Sequence, residues 1–328
     1  MSYVLSFVTS IGSRSKFPLN RLCSIVIKHI HGPWKTNEVD VDISKKFSRN
    51  VMASSNTNLF NGKLDRFKGI TVDSQTEQCS NSQEFSQKLQ GSLLNWRESG
   101  HRGIWFKVHL NQSDWIPVLV KNGFKFHHAK EEYVMMVLWL STTETSNIPN
   151  YAHTMLGVGA VVSNDNNQVL VVKEKYYPGN MPHYKLPGGY VEPGENIVDA
   201  AIREVYEETN IRGEFQSVLT LRHTHKGMFG CSDIYTIVHL KALTNEIKKC
   251  DREIVESKWM DISEYMVHPH IHELNKFFLQ KYLDYNTKGI KIDCFHGYHP
   301  VINKPYTIYS VTSNNRDQDN ETIAVSKD

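Results

Sequence analysis

The chain has 328 residues, of which 40% are hydrophobic, 22% charged and 11% aromatic, a globular composition long enough for one large or two ordinary domains. A net charge of +2 gives no general bias toward nucleic acid, and no apolar run approaches the roughly 18 residues of a membrane span. The five cysteines, Cys23, Cys79, Cys231, Cys250 and Cys294, form no C-x-x-C pair, so neither a disulfide framework nor a zinc site is suggested and a reducing compartment is the simpler reading.

Residues 1–37 carry Arg14, Lys16, Arg21, Lys28 and Lys35, recurrent serines and no acid before Glu38. A basic, serine-rich, acid-poor start is the signature of a mitochondrial transit peptide. A mitochondrial location is therefore expected. The alternative is a disordered basic tail on a cytoplasmic or nuclear protein. Residues 38–62, with Ser54-Ser55-Asn56-Thr57-Asn58, read as a linker.

A first domain is expected over 63–145. Phe85, Leu89, Leu93 and Trp96 share one face of a helix that Ser99-Gly100 ends. Gly103 to Val108 reads as a buried strand. Asp114 is positioned to cap a second helix carrying Trp115, Val118 and Leu119, which Asn122-Gly123 stops. Phe124 to His128 and Tyr133 to Leu140 read as a strand pair. His127 and His128 fit a structural role at a strand end better than a site.

A second domain is expected over 150–285, followed by a C-terminal extension over 286–328 that turns polar and disordered from about Ser313. Met155 to Val162 and Gln168 to Lys173 read as strands joined by an Asn- and Asp-rich turn. Tyr184-Lys185-Leu186-Pro187 leads into Gly188-Gly189. Phe215 to Arg222, Asp233 to Leu243 and Glu253 to Trp259 are later strands, and Ile262 to Met266 and Ile271 to Tyr282 suggest closing helices.

Between these lies the stretch that carries the chemistry. Pro193-Gly194 makes a turn, and Asn196 with Asp199 resembles a capping box. The spacing predicts a helix over Ile197 to Thr209. Val198, Ala201, Ile202 and Val205 fall on one arc, with Glu204, Glu207 and Glu208 clustered on the opposite arc. Like charges at these spacings destabilise a bare helix by about 0.2–0.5 kcal/mol per pair. A hard divalent cation would turn that cost into binding energy. Spacing alone leaves open a solvated acidic face.

Gly189, Glu195, Arg203, Glu204, Val205, Glu207, Glu208 and Ile211 together fill, in register, the pattern known as the Nudix box. The sequence resembles the Nudix hydrolase family. Asn210 stands where the family usually has glycine, at a helix end that asparagine tolerates. The resemblance implies an α/β fold, a Nudix α/β/α sandwich. It implies Mg²⁺ or Mn²⁺ held by Glu204, Glu207 and Glu208 with the Gly189 carbonyl. It also implies that Arg203 pairs with Glu195 to hold the loop against the helix. The segment Arg222 to Gly230, with Leu64-Asp65-Arg66-Phe67 and Gly123 to His128, is similar to animal fibroblast-growth-factor-antisense Nudix proteins and to plant Nudix hydrolases acting on ADP-ribose and NADH. In that subfamily a small acetyltransferase-like α+β domain precedes the Nudix domain. Here it lacks the glycine-rich loop of an active acetyltransferase, so it is expected to supply an interface, either within the chain or in a homodimer.

The expected reaction is metal-dependent hydrolysis of a nucleoside diphosphate-linked small molecule, ADP-ribose or NADH, with release of AMP. A nucleotide-binding or protein-interaction module without strong catalysis is the alternative. Arg222, Phe229 and Tyr184 are candidate substrate contacts, beside Tyr176 and Tyr177. Glu253 and Glu256 are candidates for a base and read equally well as surface charges. Neither a nucleic-acid nor a membrane partner is expected.

Overall fold

The computed structural model describes residues 59–176 and 183–313. The expected targeting segment, most of the linker, Tyr177 and the polar tail lie outside them. The described residues divide into two compact units between Ala152 and His153.

The first unit contains β1 (Lys63–Leu64), β2 (Ile70–Asp73), α1 (Ser82–Glu98), β3 (Gly103–His109), α2 (Trp115–Lys121), β4 (Lys125–Ala129) and β5 (Tyr133–Trp139). The sheet order is β1-β2-β3-β5-β4, and β2 runs parallel to β3 because α1 crosses over between them. α1 starts where the Asn81 side chain accepts the N–H groups of Gln83 and Glu84. It buries Phe85, Leu89, Leu93 and Trp96, the predicted face. Phe85 stacks on Trp115 at 4.3 Å, and Phe60 and Phe106 close the aromatic core. Asp114 does not cap α2. Its backbone is already helical (φ −64°, ψ −15°), so its carboxylate does not reach the first-turn N–H groups. His127 and His128 contact each other, and His127 Nε2 meets the Pro149 carbonyl at 2.8 Å.

The second unit contains β6 (Thr154–Ser163), β7 (Gln168–Glu174), β8 (Gly188–Tyr190), α3 (Ile197–Thr209), β9 (Gly213–Thr224), β10 (Ser232–Ala242), β11 (Ile254–Asp261), α4 (Ile262–Val267), α5 (Glu273–Lys288), β12 (Ile290–His299) and β13 (Lys304–Ser313). The main sheet runs β11-β7-β6-β10-β9, with β8 paired to β6. β6 and β10 are parallel, and both are buried where they cross the core, over 157–163 and 236–240, as strands covered on two faces must be. Val158, Ala160 and Val162 pack with Ala200, Ala201 and Val205 of α3. Val161, Val169 and Val171 point the other way, onto Tyr265, Phe278, Leu279 and Tyr282 of α4 and α5. The sheet is thus held between helices on both faces, as an α/β/α sandwich.

α3 ends on Asn210 in the left-handed region (φ 62°), as its sequence suggests. Its start differs from the predicted capping box. Asn196 donates Nδ2 to Asp199 Oδ2 at 2.9 Å and accepts Thr307 Oγ1 at 2.8 Å, so its side chain is diverted from the helix N–H groups. Thr307 belongs to the β12–β13 hairpin, which lies in the C-terminal extension, where the sequence alone assigns no elements.

One buried group makes stability depend on pH. His239 of β10 is 7% exposed, hydrogen-bonded to Ser163 Oγ at 2.9 Å, and burial pushes its imidazole down to about 4. An unfolded histidine titrates near 6.5. The native state therefore keeps His239 neutral while the unfolded state takes up the proton first. Stability is full above about pH 6.5 and falls as pH drops toward 4. Between pH 7 and 4.5 this group should remove about 2 kcal/mol from the second unit, read as a urea midpoint. A His239→Gln chain should lose less over the same range. An equal loss in both would contradict the assignment.

Candidate active site

The site is built on α3 and the turn that precedes it. Gly188 has φ +152°, and a Cβ there would fall 2.1 Å from the Val158 carbonyl oxygen, so only glycine lets β8 reach β6 at this point. At Gly189 a Cβ would fall 2.4 Å from Glu204 Oε1, so the second glycine makes room for a carboxylate. Arg203 then locks turn to helix. It donates Nε to Glu195 Oε1 at 2.8 Å and Nη2 to Glu195 Oε2 at 2.9 Å, a two-pronged pair. Nη2 also reaches the Tyr190 carbonyl, and Nη1 reaches Glu204 Oε1 at 3.0 Å. The Arg203 pair is the largest influence holding Glu195 below the usual carboxylate range.

The carboxylate face is only partly solvated. Glu204 is 7% and Glu208 3% exposed, because β8 lies over them, while the Glu207 side chain is 59% exposed. Burial pushes Glu204 upward. Arg203 draws it back, and the charges of Glu207 and Glu253 add to the rise. Burial also pushes Glu208 upward against Lys185 and the Gly188 N–H, which donates to Glu208 Oε2 at 3.1 Å. Lys185 pairs with Glu174. Burial alone would lower the Lys185 ammonium, but Glu208 and Glu174 outweigh it and hold it charged. Five carboxylates, Glu174, Glu204, Glu207, Glu208 and Glu253, thus influence one another's surroundings with Arg203 and Lys185 as counter-charges.

The donor set is all oxygen and carries excess negative charge, which fits a hard divalent cation. Among the described residues, however, no group of three acidic, His or Cys side chains converges to hold an ion. Glu204 is engaged by Arg203, Glu208 by the Gly188 N–H, and Glu207 extends into solvent. The predicted three-carboxylate cluster is therefore present on one helix but not closed.

The other predicted residues separate. Tyr184 is 5% exposed, donates its hydroxyl to Glu256 Oε1 at 2.5 Å, and has the Lys173 and Lys258 ammonium groups 4.0 and 4.8 Å from its ring. Enclosed in this way, it has no ring face for a base, which corrects the substrate-stacking assignment. Phe229 is 86% exposed at the tip of the β9–β10 loop, in a left-handed backbone (φ 56°). Tyr176 is 71% exposed. Arg222 pairs with Asp233 at 2.7 Å and lies over Tyr235 at 5.1 Å. Glu256 is committed to Lys173 and Tyr184, which hold it below the usual carboxylate range. Glu253 instead adds its charge to the surroundings of Glu204. The sequence reading missed Lys185 and Glu174. Each looks like an ordinary strand-end residue until the fold buries them together.

A sheet between helices, with the glycine turn paired to its central strand β6 and the glutamate helix packed on one face, defines the Nudix fold. Residues 153–281 match the family model of the NUDIX domain, and residues 60–140 match a second model, described as a Nudix hydrolase domain. The chain is 37% identical over 227 residues to Nudix hydrolase 8 of Arabidopsis thaliana, covering 68% of this chain and 61% of that one. It is 38% identical over 223 residues to Nudix hydrolase 5 of the same plant, covering 67% and 74%. It is 39% identical over 209 residues to the Homo sapiens protein called nucleoside diphosphate-linked moiety X motif 6, covering 62% and 65%. The chain belongs to the Nudix hydrolase family, and it spans less than two thirds of Nudix hydrolase 8.

Proposed function

We propose that this chain hydrolyses the pyrophosphate bond of a nucleoside diphosphate derivative, ADP-ribose or NADH, with the help of Mg²⁺ or Mn²⁺. The observation that carries this reading is the surplus of buried carboxylate on α3 beneath the Gly188-Gly189 turn. Glu204, Glu207 and Glu208, with the Gly189 carbonyl, would hold the cation. Bound there, it supplies neutralisation of the pyrophosphate oxygens and polarisation at phosphorus.

The chain's own residues do the rest. Arg203 and Glu195 fix the turn, so that Gly189 and Glu204 keep one geometry during turnover. Lys185 opposes the upward push that burial gives Glu208. Glu253, placed within the electrostatic reach of Glu204, accepts a proton from the attacking water, while Glu256 is held by Lys173 and Tyr184. The water oxygen bonds to one phosphorus, the bridging P–O bond breaks, and the proton passes to the leaving phosphate. ADP-ribose then yields AMP and ribose 5-phosphate, and NADH yields AMP and reduced nicotinamide mononucleotide. Phe229 offers the exposed ring for a base, and Arg222 lies on β9, one of the two strands that the Phe229 loop joins. Residues 1–37 remain proposed as a mitochondrial targeting segment, and the first unit as a support for substrate binding or a homodimer.

Product chromatography over ADP-ribose, NADH, CoA, diadenosine polyphosphates and capped RNA tests the substrate. The highest kcat/KM should fall on ADP-ribose or NADH, and a preference for any of the others would overturn that choice. In the same assay Glu253→Gln should lower kcat by about 10²-fold with little change in KM, whereas Glu256→Gln should not. Equal losses in the two variants would remove Glu253 as the base.

A further inference from the structure

In the first unit, at the end of the sheet where β2 and β3 begin and β5 finishes, lies a cavity of about 430 Å³. That volume suits a nucleotide-sized molecule. Arg66, Lys68, Arg97, His101 and Arg102 line it, and Glu144 is the one acid in its wall. Local structure accounts for two of the cations. Arg97 sits in the last turn of α1, where a positive charge complements the helix dipole, and Arg102 pairs with Glu144 at 2.5 Å. Arg66 lies over the Phe67 ring at 4.7 Å, and neither it nor Lys68 forms an ion pair among the described residues. Like charges gathered in one concave wall repel, and the concavity concentrates their field.

The wall is also built rigidly. Lys68 is held at φ 61°, an uncommon backbone for a side chain of this length. Asp65 imposes that turn by accepting the N–H groups of Phe67 and Gly69 at 2.7 and 2.8 Å. The Lys68 carbonyl accepts the Arg102 N–H at 3.0 Å and lies 3.3 Å from His101 Nδ1, which ties the β1–β2 loop to the start of β3. The Arg102 guanidinium rests over Trp139 at 5.0 Å, and Trp139 Nε1 donates to the Glu144 carbonyl at 2.9 Å. Arg102 Nε is buried without a hydrogen-bond partner. The hydroxyl residues Ser141, Thr142 and Thr143 complete the lining.

We propose that this cavity binds a phosphate-bearing small molecule, through the guanidinium and ammonium groups of Arg66, Lys68, Arg97 and Arg102. Arginine's planar fork matches two phosphate oxygens, and hydroxyl groups supply further donors. Phe67, 60% exposed at the rim, carries the Arg66 guanidinium on one face and offers the other to a base if the molecule is a nucleotide. This site uses only first-unit residues and stands independently of the hydrolase reading.

Calorimetric titration of the full chain in EDTA and low salt, with inorganic phosphate, pyrophosphate and AMP as probes, tests the proposal. Saturable binding of at least one probe below about 1 mM is expected. Arg66→Glu combined with Lys68→Asn should weaken it at least tenfold. Both positions are exposed, and asparagine tolerates the left-handed backbone, so the fold is kept. Glu144→Gln should tighten it, and Glu204→Gln should leave it unchanged. Pyrophosphate binding as well as AMP would show that the phosphate alone is read, and tighter AMP binding would show that the nucleoside is read too. Absence of saturable binding, or equal binding in the Arg66 and Lys68 double variant, would overturn the proposal.

Discussion

Glu204→Gln should lower kcat by at least about 10²-fold at saturating Mg²⁺ while the chain stays folded. Glutamine keeps the shape of the side chain and still presents an oxygen to Arg203 Nη1, now 3.0 Å away. It also leaves the contact with Gly189 intact. What it removes is the charge, in a place where burial and neighbouring Glu207 and Glu253 already oppose that charge. The folded state should therefore be equal to the parent in stability or slightly above it, because like-charge repulsion at i, i+3 and i+4 falls. Loss of activity with retained or raised stability separates a role in the reaction from a role in packing. Unchanged kcat at saturating Mg²⁺ would remove Glu204 from the site.

Lys185→Met should have the largest effect on stability, about 3–5 kcal/mol, because it strands two buried carboxylates. The Lys185 side chain is 18% and that of Glu174 14% exposed, and Glu208 is 3% exposed. Methionine fills similar space, so packing is not the cause. The sign with pH follows from Glu208, which burial already holds above the unfolded glutamate value and which loses its counter-charge. At low pH it is neutral in both states and the penalty vanishes, while at high pH the folded state must either ionise it without a partner or forgo ionisation. The deficit should therefore be greater at pH 8 than at pH 5, read as urea midpoints. Adding Glu174→Gln should recover part of it. A Lys185→Met chain as stable as the parent at pH 8 would refute the buried network.

The helix at the centre of the site was legible because its signals agree. Ala201 and Val205 of the apolar arc pack on the sheet with Ile202 against them, and Asn210 takes the left-handed end. What the spacing could not reveal is depth. A glutamate on the arc opposite the core looks solvated until β8 folds over Glu204 and Glu208, and that contact is set by Gly188 and Gly189 pairing with β6. Lys185 was missed for the same reason, since its partners come from β7 and α3. Tyr184 was misread because an aromatic beside a glycine turn fits either a stacking platform or a core residue, and only the Glu256 hydrogen bond decides. The β12–β13 hairpin escaped notice because its strands pair with each other and leave Phe295, Tyr298, Tyr306 and Ile308 exposed, without the clean alternation of a half-buried strand. The β-branched and aromatic run from Tyr306 to Thr312 was the available signal.

The most direct test of the central claim is the hydrolysis of ADP-ribose and NADH by the full chain in water enriched in ¹⁸O, with Mg²⁺, with EDTA, and with Mg²⁺ restored. The account predicts AMP release with Mg²⁺, loss of release in EDTA, recovery on restoring the metal, and one ¹⁸O in a product phosphate. Release of AMP that persists in EDTA, or no AMP from either compound with Mg²⁺ or Mn²⁺, would contradict it.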